Sequence, residues 1–401
     1  MLIGLVGKPS VGKSTFFKAS TLADVAIASF PFTTIKPNHG VGFVKVECID
    51  KEFKTQCNPK HGYCINSWRF VPVDLMDVAG LVPGASEGKG LGNQFLDDLR
   101  NADAFIHIVD VSGRADAEGK ELDDSKKGNP IDDVKFLEEE LDLWYYNILI
   151  KVWKTLARTS EVEKTNFAKA VAKQFSGLKV NEENVKEVIR KIPKDVASKK
   201  PSTWNESEVK VFAHELRRLS KPMIIAANKC DHPDAENNLK LLEKEFPDEL
   251  IYPCSADSEL ALREASKHGL INYIPGENKF EYKNESKLSS QQKNALEKIK
   301  KNVLEKYDGT GVQEILNLAV FDLLKYIAIF PAGANKLADQ YGNVLPDCFL
   351  LPENSTALDF AFFLHTDFGK NFIKAIDARS KRALGKDYVL KNRDALEIIT
   401  R

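Results

Sequence analysis

An α/β fold is what this sequence predicts: a doubly wound, mostly parallel sheet with an inserted α-helical domain and a small α+β domain at its C-terminal end. Three observations predict it. Short, wholly apolar runs such as Leu2–Val6, Ala104–Asp110 and Met223–Asn228 alternate with helical patterns, as in a sheet buried on both faces. In the long gap between the last two runs, Leu137, Leu141, Trp144, Ile148, Val152 and Leu156 recur every three to four positions, the mark of an amphipathic helix. Past residue 325 the apolar runs are short and separated by Gly- and Asn-containing turns.

Taken in order, Leu2–Val6 reads as a strand, followed by a Gly-rich turn and a helix that starts at Lys13. Residues 41–46, 70–76 and Ala104–Asp110 read as further strands. The helical block extends to about residue 220, broken near Pro193 and Pro201. Strands return at Met223–Asn228 and Leu250–Cys254, followed by a polar stretch at 276–294 and a helical segment at 295–324. Strand-like runs at 326–330, 348–351, 360–363 and 395–399 complete the chain. The boundaries that follow are 1–135 and 221–320 for the two parts of one domain, 136–220 for the insertion and 321–401 for the C-terminal domain.

With 401 residues, 43% of them hydrophobic, the chain can build more than one core. No window holds the ~18 consecutive apolar residues of a membrane helix, and the opening MLIGLVG lacks a basic leader region. A cytoplasmic protein without membrane contact is expected. The 57 basic and 58 acidic residues nearly cancel, but unevenly. Residues 151–220 carry 16 Lys/Arg against 9 Asp/Glu, and residues 368–401 carry 9 against 4. Local basic faces on a neutral whole point to an anionic partner at those faces only. The six cysteines form no dense framework. Cys57-x3-His61-x2-Cys64, with Cys48 nearby, has some zinc-ligand character, but no second Cys-x-x-Cys pair completes a standard spacing. The reading is a loop with incidental cysteines.

Gly7-Lys8-Pro9-Ser10-Val11-Gly12-Lys13-Ser14 is a complete G-x-x-x-x-G-K-S run between a strand and a helix. In that context the N–H groups of Gly7, Ser10, Val11 and Gly12 can curl around a phosphate, with Thr15 next on the helix. Lys13 can reach the β- and γ-phosphates and the Ser14 hydroxyl can ligate Mg²⁺. Asp77-Val78-Ala79-Gly80 ends a strand, which places a carboxylate for Mg²⁺ and an N–H, that of Gly80, for the γ-phosphate. Between the two motifs, Thr34 or else Thr33 can close over the metal and the γ-phosphate. Leu81 follows Gly80 where a Gln would orient the attacking water, so slow intrinsic hydrolysis is expected. Residues 82–94 hold four glycines and read as a segment that responds to the γ-phosphate.

Asn228-Lys229-Cys230-Asp231 ends another strand. The Asp231 carboxylate can accept from N1–H and the 2-amino group of guanine, a donor pair that adenine lacks. Lys229 can lie along the base, Asn228 can tie this loop to the P-loop, and Ser255-Ala256 can offer a backbone N–H to the guanine O6. GTP and GDP are therefore the expected ligands, with an ATPase of the same fold as the alternative.

Together these residues resemble the Obg-related translation-factor-class GTPases, and most closely their YchF-like branch of archaeal and fungal type. The resemblance rests on GLVGKPSVGKSTFFKA, FPFTTIKPN, DVAGLVPGASEGKGLGNQFLDDLRNADAFIHIVD and NKCD. HTDFGKNFIKAIDARSKRALGKDYVLKNRDALEI is similar to that family's TGS domain. The resemblance implies a P-loop G domain, a helical insertion and a terminal TGS domain. It also implies a GTP-hydrolysing switch with a hydrophobic residue replacing the catalytic Gln, and association with ribosomes or structured RNA. Relatives that prefer ATP carry Glu at the end of an altered motif, whereas Asp231 keeps N-K-x-D intact. Ser10 stands where potassium-stimulated relatives often have Asn. A module that binds RNA or ribosomes, with nucleotide serving mainly structure, is the rival from another class.

Overall fold

The computed structural model describes residues 1–21, 39–78, 80, 98–116, 118–122, 128–162, 166–339 and 341–401. The first 110 residues supply β1 (Leu2–Val6), β2 (His39–Glu47), β3 (Tyr63–Ile65), β4 (Trp68–Asp77) and β5 (Ala104–Asp110), with the helix Lys13–Thr21 after β1. After the insertion come β6 (Met223–Asn228) and β7 (Leu250–Cys254). They form one sheet in the order β2-β4-β1-β5-β6-β7, with β3 added on β4. The β1, β4, β5, β6 and β7 pairings are parallel; β2 and β3 run antiparallel to β4. Every residue of β5 and β6 is buried, which accounts for their unbroken apolar runs.

The insertion leaves between β5 and β6, which are themselves neighbours, so it projects from the sheet without splitting it. Its first helix, Pro130–Val162, has 33 residues and spans roughly 50 Å at 1.5 Å per residue. The helices Phe167–Gln174 and Glu206–Ser220 pack along it, and Glu182–Lys191 packs against those two. Asn181 and Asn205 each cap their helix reciprocally with the residue three positions on. Trp153 and Trp204 stack at 5.4 Å, with Phe212 and Phe167 edge-on or tilted around them. Arg217, fully buried, bonds the Asp142 carboxylate at 2.8 Å and so links the first helix to the last.

After β7 the chain forms the helix Ala256–Lys267, the small hairpin β8 (Ile271–Tyr273) and β9 (Phe280–Tyr282), and the helix Ser290–Ile299. The expected helical segment is irregular: widened turns of five and six residues occupy Lys300–Leu304 and Leu318–Leu323, with a break at 308–311. The C-terminal domain follows as β10 (Tyr326–Pro331), β11 (Phe349–Pro352), β12 (Phe372–Asp377), β13 (Ala383–Leu384) and β14 (Ala395–Thr400), in the order β11-β10-β14-β12-β13.

One expected strand is a helix. Residues 360–363 lie inside Ala357–Leu364, because Thr356 and Asp359 form a capping box that fixes the first turn. The apolar run FAFF is short enough to suit either state; the cap decides it. Successive β10 side chains serve different cores. Ile327 and Ile329 join Phe360 and Leu396 within the C-terminal domain, while Ala328 and Phe330 join Val44, Ile315 and Leu345 beneath the larger sheet. The C-terminal domain is thus seated on the first domain. Among the described residues, no helix is long and apolar enough to cross a membrane.

Candidate nucleotide site

The P-loop leaves β1 through backbone angles that side chains resist. Gly7 has φ +144°, and a Cβ there would stand 2.4 Å from the Ile108 carbonyl oxygen of β5. Gly12 has φ +98°, and its Cβ would meet Asn228 Nδ2 at 2.4 Å. Ser10 also takes a left-handed angle, φ 65°. Such an alternation is the backbone form that can turn successive N–H groups toward one anion at the start of a helix. Val11 is buried and Ser10 exposed, while Thr15 is half-buried on the helix.

Lys13 is buried and folds back over the loop, its ammonium donating to the carbonyls of Gly7 at 3.0 Å and Lys8 at 2.7 Å. Burial lowers its pKa to about 8, against the opposing pull of Asp77. The Ser14 hydroxyl donates to Asp77 Oδ2 at 2.8 Å, so both residues expected to hold Mg²⁺ stand together at the loop mouth. Their hard oxygen donors fit that ion. Gly80 lies over the P-loop: a Cβ there would be 2.9 Å from the Pro9 nitrogen and ring. Thr33, Thr34, Leu81 and the Gly-rich segment 82–94 lie outside the described residues.

Asn228, at the end of β6, braces the site from the other side. Its Nδ2 donates to the Val11 carbonyl at 2.8 Å, and its Oδ1 accepts from the Ala256 N–H at 3.0 Å. Lys229, with φ 66°, reaches the Ser10 carbonyl at 3.2 Å and the Asp110 carboxylate at 2.6 Å. Asp231 is exposed in the turn that follows. Ser255 caps the helix Ala256–Lys267, and its own N–H bonds the Thr310 carbonyl at 2.9 Å. The structure therefore brings Asn228, Lys229, Ser255 and Ala256 to the edge of the P-loop.

Two contributors escape the sequence reading. Asp110, buried at the end of β5, accepts from Ser112 and pairs with Lys229. The available signal was a carboxylate closing an apolar strand, as Asp77 does. Lys8 pairs at 2.8 Å with Asp133, in the first turn of the helix Pro130–Val162, and no local pattern marks that contact.

Comparison with known proteins agrees with this architecture. Residues 2–135 match the family model described as 50S ribosome-binding GTPase, residues 226–333 the Obg-like GTPase YGR210-like, G4 motif-containing domain, and residues 336–400 the TGS domain. The chain is 50% identical over 400 residues to an uncharacterized GTP-binding protein of Methanocaldococcus jannaschii, covering 100% of this chain and 99% of that one. The crystal structure of a GTP binding protein from Pyrococcus horikoshii is 39% identical, with a TM-score of 0.77 and complete coverage of both chains. The ribosome-binding ATPase YchF of Bacillus subtilis is 28% identical, covering 98% and 97%. On the strength of the identity and coverage across its whole length, the chain belongs to the Obg-related, YchF-like family of GTP-binding proteins with a C-terminal TGS domain.

Proposed function

We propose that this protein is a GTP-hydrolysing switch that acts on ribosomes or structured RNA in the cytoplasm. The observation that carries the choice of base is Asn228. Bonded to both Val11 and Ala256, it fixes the strand end from which Asp231 emerges, exposed and with its N-K-x-D motif intact. A carboxylate held there favours guanine, since adenine would leave it facing an acceptor.

On the phosphate side, the Gly7–Gly12 N–H groups and Lys13 bind and orient the chain of phosphates, and the Gly80 N–H meets the γ-phosphate. Mg²⁺, held by Ser14 and Asp77 and by Thr34 in the triphosphate state, would neutralise charge on the β- and γ-oxygens. With Leu81 in place of a Gln, no side chain at that position orients the attacking water, and turnover is slow. The ribosome enters by likeness to the relative named for binding it, and by the basic C-terminal segment.

A competition assay tests the base. GTP should displace a fluorescent guanine nucleotide at least ~10²-fold better than ATP does. Equal displacement would overturn the guanine assignment and favour the ATPase activity named in the Bacillus relative. Asp231→Asn should move the preference toward xanthine nucleotides, whose 2-oxo group suits an amide donor.

A further inference from the structure

Away from the nucleotide site, the loop between β2 and β3 gathers residues that are spread along the sequence. Cys48 follows β2, Asp50 lies in the single helical turn Ile49–Lys51, Cys57 lies further along the loop and Cys64 sits in β3. One ligand atom from each lies within 4.8 Å of all the others, the single such group of metal-capable side chains among the described residues. Cys48 Sγ and Cys57 Sγ are 3.7 Å apart, and Cys64 Sγ is 4.0 Å from Asp50 Oδ2. Cys48, Asp50 and Cys57 are buried and Cys64 is half-buried. Asp50 is wholly inaccessible, and its second oxygen, Oδ1, has no hydrogen-bond partner. A buried carboxylate with an unsatisfied oxygen is costly unless a cation meets it.

The spacing narrows the kind of cation. Around a tetrahedral centre with metal–sulfur bonds of about 2.3 Å, adjacent sulfurs stand about 3.8 Å apart. The Cys48–Cys57 separation fits that edge and far exceeds the ~2.05 Å of a disulfide. A set this tight encloses one ion. Three thiolates with one carboxylate select a soft divalent metal over Mg²⁺ or Ca²⁺, and zinc takes this ligand set without redox chemistry.

We propose that Cys48, Asp50, Cys57 and Cys64 hold a single zinc ion, which fixes the loop on which the C-terminal domain is seated. The proposal departs from the sequence reading of incidental cysteines and from its grouping: His61 is outside the set, Cys48 stays and Asp50 joins. Spacing rules missed it because one ligand is a carboxylate and two belong to strands β2 and β3 or their ends.

The loop's other residues explain what such an ion would do. Asn58 N–H bonds the Val344 carbonyl at 2.8 Å, and Lys60 N–H bonds that of Pro346 at 2.9 Å. Arg69, opposite Cys64 in the β3–β4 register and fully buried, donates to Leu345 and Pro346 carbonyls at 3.0 and 2.9 Å. Glu52 takes Arg379 and Arg393 at 2.5 Å each, and Lys60 pairs with Asp339. The ligands bracket the contact residues 52, 58 and 60, so a metal that pins 48, 50, 57 and 64 holds those contacts in register.

The test uses the full chain, purified reduced and without chelator, with metals counted by plasma mass spectrometry. About one zinc per chain is expected, falling at least ~10-fold in a Cys48→Ser, Cys57→Ser variant that still binds nucleotide. Should that variant not fold, the parent chain stripped of zinc and loaded with cobalt(II) keeps the question open to measurement. Intense visible bands and sulfur-to-cobalt charge transfer then support a tetrahedral thiolate site. Absence of metal and of cobalt bands, iron in place of zinc, or a Cys48–Cys57 disulfide in protein kept from air would each overturn it. Stripping zinc should also speed proteolytic cleavage between the two domains; an unchanged cleavage rate would overturn the clamping role.

Discussion

Lys8 and Asp133 form a buried ion pair, 2.8 Å long, that joins the P-loop to the first turn of the helical insertion. Burial pushes the Asp133 carboxyl up to about 6 even against the attraction of Lys8. Desolvation therefore outweighs the pairing, and the link serves geometry more than stability. Asp133→Ala should destabilise the chain by about 3 kcal/mol, because the buried Lys8 ammonium keeps only the Ala115 carbonyl and loses its counter-charge. The double change Lys8→Met, Asp133→Leu should recover most of that loss. Denaturant titration of the single and double variants checks both, and a double variant as unstable as the single would contradict the account.

The lowered pKa of Lys13, about 8, should make nucleotide binding pH-dependent if Lys13 meets the phosphates as proposed. The unfolded lysine titrates near 10.5, so the depressed folded value means that the buried ammonium is disfavoured until an anion arrives. Bound phosphates raise it again. Below pH 8 the ammonium exists before and after binding, and affinity stays level. Above pH 8 binding must take up a proton, and affinity should fall by up to about tenfold per pH unit. Calorimetry in buffers of different ionisation enthalpy should show uptake approaching one proton near pH 9. A proton count of zero at that pH would remove Lys13 as the titrating group.

The strands β1, β5 and β6 are legible in the sequence to the residue, because burial on both faces leaves unbroken apolar runs, and the half-buried edge strand β7 is legible by its short apolar run alone. Residues 360–363 are misread for the opposite reason. Their composition suits strand or helix, and the Thr356–Asp359 cap that decides it lies outside the run. The candidate site is legible wherever its residues form a contiguous motif. Asp110 and the Lys8–Asp133 pair are not, since each partner lies more than a hundred positions away and only the sheet order brings them together. Of the Cys48–Asp50–Cys57–Cys64 group, the three cysteines are visible as a loose zinc-like spacing, whereas Asp50, a lone carboxylate in a helical turn, carries no such signal in the linear pattern.

Asn228→Ala should weaken guanine nucleotide binding without touching the ligand's charge. The change deletes the bonds to Val11 and Ala256 and leaves a buried carbonyl and N–H unpaired. At about 1–3 kcal/mol for such a loss, affinity should fall roughly 5- to 150-fold, for GDP and GTP alike. Stopped-flow titration with a fluorescent guanine nucleotide gives the number, and the drop should sit mainly in a faster dissociation rate. A loss confined to GTP would mean that Asn228 acts on the γ-phosphate side instead.

The C-terminal domain offers the clearest test of a polyanionic partner. In the insertion, Lys186, Lys191, Lys199 and Lys210 already pair with that domain's own glutamates, which lowers the field it can present. Lys381 and Arg382 instead stand exposed in the turn between β12 and β13, shaped by the Asp377 carboxylate bonding Ser380. If that turn meets RNA phosphates, log affinity for ribosomes should fall linearly with log salt, by about 0.7–0.9 per phosphate contacted. Lys381→Glu with Arg382→Glu should flatten the slope by about 1–2 and weaken binding at low salt far more than at high salt. GTP hydrolysis in the absence of ribosomes should remain that of the parent chain, since neither residue belongs to the candidate nucleotide site. Sedimentation with ribosomes across a salt series reads the slope directly, and a parallel line displaced downward would place these two residues outside the phosphate contacts.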